Sequence, residues 1–308
     1  MHASKKITIL AVSLWLISCA VSCLVVPWEV VYNARYELSK VRQVWSVADQ
    51  AQLPGRILLV GSSPVRMAMS ARKIERATGI PSFNLGASNA AEFFDDYLDD
   101  VMRHVRTGDI VVVSDPAWLD ISRPRLPVGC IAEIRHDCLA WHFKLLPNLK
   151  PAMIFLLNAL APPSPSGNMR DARGDNTGQD IDARAISIEP LAPSVELATT
   201  DVGKMNSLIR RLRAVDACPL LTLGPVFIND GELAPWQTQL TTLKNSAYKS
   251  GFGRFLLSDD VVYSDRADFS DSFEHPTRSA GAAWTDRIIA RLMDRSNGPC
   301  AAFMAGRE

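Results

Sequence analysis

The sequence predicts an α/β domain with a mainly parallel sheet, preceded by one transmembrane helix. Three observations predict this class. The N-terminal region holds about 20 consecutive uncharged residues, the length a helix needs to cross a bilayer. Short continuous apolar runs recur along the rest of the chain, and amphipathic helical segments alternate with them. The chain has 308 residues, which is long enough for one large domain besides the membrane segment.

The apolar segment at the N-terminus runs from Ile7 to Val26. Two lysines precede it and an acidic residue follows it, so the positive-inside rule keeps the N-terminus in the cytoplasm and places the rest of the chain across the membrane. We therefore expect residues 1–29 to form a cytoplasmic tip and a single-pass anchor. The expected location is a bacterial inner membrane, with the domain in the periplasm.

The six cysteines bear on processing and on compartment. Cys19 lies in a lipobox-like stretch, so lipidation at this residue remains an alternative to a signal anchor, as does a cleaved signal peptide. Four further cysteines lie in the body, where an oxidising compartment would permit disulfides, with Cys130 and Cys138 as the preferred pair. No metal site is expected from the histidines near Cys138, and no cofactor is expected.

The charge balance excludes one class of partner. The 33 basic and 33 acidic residues give a formal net charge of zero, and no stripe of lysine and arginine appears along the chain. Because a polyanion is held mainly through its phosphates, nucleic acid is not an expected partner.

The strands are predicted where short apolar runs end at turn residues. They are expected at Arg56–Val60, Ser82–Leu85, Ile110–Val113 and Pro219–Leu223, with either Phe255–Leu257 or Val261–Tyr263 as the last strand. Amphipathic helices are expected at about Pro64–Thr78, from Phe93 to Val105, from Met205 to Val215, around Trp236 to Leu243, and from Trp284 to Met293. This alternation predicts a three-layer α/β/α domain with right-handed crossovers.

The remaining segments complete the domain organisation. Residues 30–54 are interpreted as a stalk or linker with a mixed helical pattern, and residues 55–296 as the domain. Within the domain, about 164–193 is rich in Ser, Pro, Gly, Asp and Asn and is expected to form a flexible insertion. Residues 297–308 form a C-terminal tail.

Two polar segments follow predicted strands, where open α/β sheets bind ligands. Ser63 comes after Gly61 and before Pro64, so its hydroxyl would meet the unpaired N–H groups and the positive end of a helix. The alternative role for a serine at this position is helix capping. His275 precedes the closing helix, and its alternative is a surface loop histidine.

Together these segments resemble the SGNH (GDSL-like) hydrolase superfamily over about residues 56–292, apart from the insertion. Gly61-Ser62-Ser63 matches the Gly-Ser-Ser variant of the first block, seen in extracytoplasmic proteins of polysaccharide O-acetylation and teichoic-acid D-alanylation. Asn84-Leu85-Gly86 matches the second block, and Asp271 with His275 the last. The resemblance implies a flavodoxin-like sheet, Ser63 as nucleophile, His275 as base, Asp271 as its orienting acid, and Gly86 N–H in the oxyanion hole.

The chain departs from the family pattern in two blocks. The third block has Ser114-Asp115-Pro116-Ala117-Trp118 and lacks the usual asparagine, so Asn89 is the candidate second oxyanion donor. The spacing from Asp271 to His275 is one residue longer than in the family, which leaves Asp268 or Glu274 as alternative orienting acids.

The resemblance implies a serine esterase or O-acyltransferase that forms an acyl-serine intermediate. The expected substrate is a cell-envelope or exported polysaccharide that is acetylated or deacetylated. The implied partners are the membrane, the polysaccharide and a membrane-bound acyltransferase. The alternative is a catalytically inactive member that serves in a polysaccharide biosynthesis or export complex, and both departures favour it.

Overall fold

The computed structural model describes residues 37–51, 55–88, 94–114, 170–176, 202–251, 256–257, 262–263, 265–270 and 275–294, and the single positions 13, 253, 272 and 300. Apart from Ser13, they belong to one compact unit made of 37–123 and 165–308. No helix within these ranges is long and apolar enough to cross a membrane. The predicted anchor, except for Ser13, lies outside the described residues.

Parallel strands form the centre of the unit. The strands are β1 (Ile57–Gly61), β2 (Ser82–Asn84), β3 (Ile110–Ser114), β4 (Cys218–Thr222), β5 (Val226–Phe227), β6 (Leu256–Leu257) and β7 (Val262–Tyr263). Five of them make one sheet in the order β2-β1-β3-β4-β6, and each neighbouring pair is parallel. This is the order of flavodoxin-like doubly wound sheets, and the predicted mainly parallel α/β class is confirmed.

Both segments considered for the last strand are strands, but they serve different sheets. Leu256–Leu257 pairs with β4 and extends the main sheet, whereas Val262–Tyr263 pairs with β5 in a separate two-stranded parallel sheet.

Helices cover both faces of the sheet. They are α1 (37–48), α2 (Ser63–Ala68), α3 (Ala71–Thr78), α4 (Phe94–His104), α5 (Val202–Ala214), α6 (Leu233–Lys249) and α7 (Arg278–Met293). On one face, α2, α3 and α7 bury apolar side chains against Ile57, Leu59, Ile110 and Val112. Since the chain moves from β1 to β2 in one direction and on to β3 and β4 in the other, right-handed crossovers place α4 and α5 on the opposite face.

The single helix predicted over Pro64–Thr78 is wrong, because the structure has α2 and α3 with a break between them. The Asn84 side-chain amide donates to the carbonyl oxygen of Met69 at 2.8 Å, next to the end of α2. Ser70 then caps α3, and the carboxylate of Asp175 accepts N–H groups from its first turn at 2.6 and 3.1 Å. Both groups that support the break are distant in sequence, so the local pattern could not reveal it.

Within the predicted stalk, the described residues 37–51 pack on the domain. The side chains of α1 that face the domain are buried: Val41, Val44, Trp45 and Ala48. At the amino end of the sheet, the buried Arg56 guanidinium lies 2.7 Å from Asp109 and 3.0 Å from Asp49, just beyond α1. This ion network joins α1 to the strands.

A disulfide joins Cys218 at the start of β4 to Cys300, across a sequence separation of 82. Both cysteines are buried. The predicted pair, Cys130 with Cys138, lies outside the described residues.

Seven residues of the predicted flexible insertion, 170–176, lie against the domain. The Arg173 carbonyl accepts the Asn84 N–H at 2.7 Å, and the Arg173 guanidinium pairs with Glu75 at 2.6 Å. Gly174 approaches so closely that a Cβ there would lie 1.9 Å from the Asn84 carbonyl oxygen, and its positive φ of 85° also suits glycine. We call residues 170–176 the docked segment.

Candidate active site

Ser63 stands at the start of α2, two residues past the end of β1. The turn between them needs glycine, because a Cβ at Gly61 would lie 1.7 Å from the carbonyl oxygen of Ser114, its register partner on β3. Pro64 fits the first helical turn, where its missing N–H would have no partner. Ser63 is a buried residue, with 8% of its surface exposed.

The sheet topology explains why this position suits a ligand. The chain leaves β1 for β2 on one side, and β3 lies on the other side. The carboxyl ends of β1 and β3 therefore form the switch point of the sheet, where doubly wound proteins bind their ligands.

His275 reaches Ser63 from the far end of the chain. Its Nε2 lies 2.8 Å from the Ser63 Oγ, although 212 residues separate the two in sequence. Backbone bonds hold the histidine in place: its carbonyl accepts the Ser270 N–H at 2.8 Å, and the Ser272 carbonyl accepts the His275 N–H at 3.3 Å. A hydroxyl and an imidazole at this distance are what a serine nucleophile and its general base require.

The helix that follows the histidine is packed tightly against the helix that begins with the serine. Thr277 caps the N-terminus of α7, and its N–H donates to the Asp268 carbonyl at 2.7 Å. Further along α7, a Cβ at Gly281 would lie 2.7 Å from the Cβ of Ala68 in α2. This close approach of α7 to α2 brings the two chemical groups together.

The structure gives Gly86 a bond that the sequence did not indicate. Its N–H donates to the Asn84 Oδ1 at 3.0 Å, while the Asn84 amide nitrogen donates to the carbonyls of Val65 and Met69. Glycine is also required for packing, because a Cβ there would lie 2.4 Å from the Arg66 backbone nitrogen. The oxyanion role of Gly86 stays a prediction, and it would require this N–H to leave Asn84.

The other predicted site residues have separate outcomes. Asn89, Asp271 and Glu274 lie outside the described residues. Asp268 supports the histidine segment through its backbone carbonyl. Burial raises the pKa of the Asp268 carboxyl, and the negative charge of Asp265 raises it further.

Tyr97 of α4 is a site residue that sequence analysis missed. It is fully buried, its hydroxyl accepts the Gly61 N–H at 3.3 Å, and it donates to the Leu85 carbonyl at 2.6 Å. One side chain therefore fastens the turn before Ser63 to the end of β2. The helical spacing of Tyr97 predicts its burial but not this polar contact.

A second missed group is a buried ion pair that contacts the backbone at Ser88, two residues after Gly86. The Glu37 Oε2 accepts the Ser88 N–H at 3.0 Å and the Arg170 Nη2 at 2.7 Å. The two side chains of the ion pair are 6% and 5% exposed. Burial and the positive charge of Arg66 lower the pKa of Arg170 below the ordinary arginine value, against the opposing effect of Glu37.

Fold and site together define an α/β protein with a serine–histidine pair at the switch point of a parallel sheet. Comparison of the chain with protein-family models, curated proteins and solved structures finds no match. In the part of the chain that the structure describes, no group of three or more His, Cys, Asp or Glu side chains could hold a metal ion.

Proposed function

We propose that the protein is an SGNH-like serine esterase or O-acyltransferase. The observation that supports this proposal best is the 2.8 Å distance from the Ser63 Oγ to the His275 Nε2 at the carboxyl end of β1. The sheet order and the positions of the family-like blocks agree with the same superfamily.

In the first step, His275 takes the Ser63 proton as the Ser63 oxygen bonds to an ester carbonyl carbon. The carbonyl oxygen becomes an oxyanion beside the N-terminus of α2, where the Ser63 N–H can donate to it. The tetrahedral species then breaks its bond to the leaving oxygen, which takes the proton from His275. Each well-placed oxyanion donor is worth about 3 kcal/mol in the transition state.

The second step returns Ser63 to its starting state. The acceptor hydroxyl gives its proton to His275 and attacks the acyl-serine carbonyl, and the bond to the Ser63 oxygen then breaks as that oxygen regains a proton. Water as the acceptor makes an esterase, and a sugar hydroxyl makes a transferase. Asp271 is proposed as the acid that orients the imidazole.

The compartment and substrate are argued from the predicted anchor and from the disulfide. Structural disulfides such as Cys218–Cys300 persist in oxidising compartments, so this bond agrees with a periplasmic domain on a single-pass inner-membrane anchor. An enzyme tethered there would act on a cell-envelope or exported polysaccharide, adding or removing acetyl groups, with a membrane-bound acyltransferase as a candidate donor partner.

A non-catalytic role in a polysaccharide biosynthesis or export complex is the second candidate. The observation that favours it is the bond from the Gly86 N–H to Asn84, which occupies a donor that catalysis would need. The missing third-block asparagine points the same way.

The two candidates differ in turnover. The full-length chain, solubilised in a mild detergent, would be assayed for release of p-nitrophenol from p-nitrophenyl acetate as wild type, Ser63→Ala and His275→Ala. The catalytic proposal expects a loss of about 10³-fold or more in each variant. Ser46→Ala and His104→Gln, which change the same residue types away from the site, should keep full activity. A folded wild type without turnover, or Ser63→Ala with unchanged turnover, would reject the serine mechanism.

If the wild type is active, a polysaccharide fragment added with the ester identifies the acceptor. Mass spectrometry would then detect an acetylated sugar for a transferase and free acetate alone for an esterase.

A further inference from the structure

Residues 85–88, which we call the site turn, lie against the end of β1 and against α2, the helix that begins with Ser63. After β2, the Leu85 N–H donates to the Leu59 carbonyl at 2.8 Å and the Ala87 N–H to the Gly61 carbonyl at 2.9 Å. The bonds between the β1 and β2 segments therefore continue to a point two residues before Ser63. Gly86 meanwhile touches the backbone of α2. A shift of the site turn would therefore move the end of β1 and α2, and with them Ser63.

Glu37 holds the far end of this turn. Its carboxylate accepts the Ser88 N–H at 3.0 Å, directly after the Ala87 bond. A carboxylate that accepts a backbone N–H makes a charge-assisted bond, which is about twice as strong as a neutral one. Glu37 lies on α1, more than 50 residues earlier in the chain, so the contact is tertiary.

Arg170 holds the Glu37 carboxylate in place. Its Nη2 lies 2.7 Å from the same oxygen that accepts the Ser88 N–H. Both side chains of the pair are buried, and a buried charged group is costly unless it is paired. Arg170 is itself held, because the docked segment is tied to α3 through Asp175 and to β2 through Arg173.

A role in stability alone explains this arrangement less well. Replacing a buried ion pair by apolar residues is often neutral or stabilising, so such a pair is weak evidence of a role in stability. Here the shared carboxylate oxygen also bonds a backbone N–H of the site turn. The pair thus joins three distant parts of the chain at one point of the site.

We propose that Glu37 and Arg170 are positioning residues for the serine chemistry: Glu37 holds the site turn in place beside Ser63, and Arg170 holds Glu37. This inference rests on the proposed function and adds two residues to it. Neither residue is proposed to touch the substrate.

The test compares turnover number, KM and backbone exchange in the full-length chain. Glu37→Ala should lower kcat for p-nitrophenyl acetate by about 10- to 100-fold with little change in KM, because a misplacement of about 1 Å has an effect of this size. The double variant Glu37→Gln/Arg170→Gln keeps an oxygen for Ser88 and a neutral pair, and should retain most of the activity. Amide exchange of the peptide that contains 85–88 should rise in Glu37→Ala.

Arg173→Gln provides the matched control. It removes an ion pair from the same docked segment, but the pair with Glu75 is 30% and 29% exposed. This variant should keep the wild-type kcat and the wild-type exchange of the site turn. An equal loss of kcat in Arg173→Gln would assign the effect to general loosening of the segment and overturn the proposal.

The remaining outcomes separate this inference from the proposed function. An active wild type with an unchanged Glu37→Ala variant overturns the positioning role alone. An inactive wild type overturns the proposed function. In that case the amide hydrogen exchange of residues 85–88 in Glu37→Ala decides whether Glu37 holds the site turn. Unchanged exchange of 85–88 in Glu37→Ala overturns the inference in either case.

Discussion

Removal of the Cys218–Cys300 disulfide should lower the free energy of unfolding by about 4.5 kcal/mol. The bond closes a loop with a sequence separation of 82, and chain entropy for a loop of that length gives about 4.5 kcal/mol at 25 °C. Both cysteines are buried in the apolar cluster beside α7, so alanine is the better replacement, since serine would bury a hydroxyl there. The double variant Cys218→Ala/Cys300→Ala would be compared with wild type by urea unfolding, followed by tryptophan fluorescence.

Reduction provides the control for this prediction. Reduced wild type should unfold close to the reduced double variant, because both then lack every disulfide. A further loss when the double variant is reduced would report a second disulfide, which the sequence predicts between Cys130 and Cys138. Equal unfolding midpoints for oxidised wild type and the double variant would refute the reasoning.

Three further predictions concern packing, pH and capping. Gly86→Ala should destabilise the protein by about 1–3 kcal/mol in thermal melts, because the added Cβ would lie 2.4 Å from the Arg66 backbone nitrogen. Gly231→Ala is the control: its Cβ would face open space, so the melting temperature should not change. Burial acts to raise the pKa of Asp49, but hydrogen bonds with His104 and Arg56 lower this pKa overall. The ionised Asp49 therefore stabilises the fold above about pH 4, and this stabilisation is lost as the pH falls through the lowered pKa. The unfolding free energies of wild type and Asp49→Asn should therefore differ at pH 7 and converge in acid; a constant difference would contradict this. Asp175→Ala should cost about 2–3 kcal/mol, because it leaves N–H groups of α3 unpaired, and it should speed tryptic cleavage in the docked segment; unchanged cleavage would argue against the contact.

The strands and the main helices could be predicted because their signals are local. Ile57 to Val60 and Ile110 to Val113 are continuous apolar runs, and every one of these side chains is buried. A strand that is buried on both faces has such a continuous apolar run, so the run alone predicts it. Ser63 and His275 could be predicted as site residues for a related reason: Ser63 follows β1, and His275 precedes α7, and both elements have clear local patterns.

Long-range contacts account for what the sequence did not reveal. Asn84 supports the break between α2 and α3 by donating to the carbonyls of Val65 and Met69, and the local pattern around the break does not reveal this partner. The partner of Cys218 depends on where the chain passes after α7. Glu37 and Arg170 lie in segments predicted as a stalk and as an insertion, and only the fold brings them together.

The docked segment also protects an open side of the molecule. Among the described strands, β2 lies at one edge of the main sheet, and an edge offers unpaired backbone groups to any other chain that can add a strand. Arg173 accepts from the last N–H of β2, and Gly174 lies against the last carbonyl. Where this cover is lost, the core can remain intact while copies of the protein aggregate through the exposed edge.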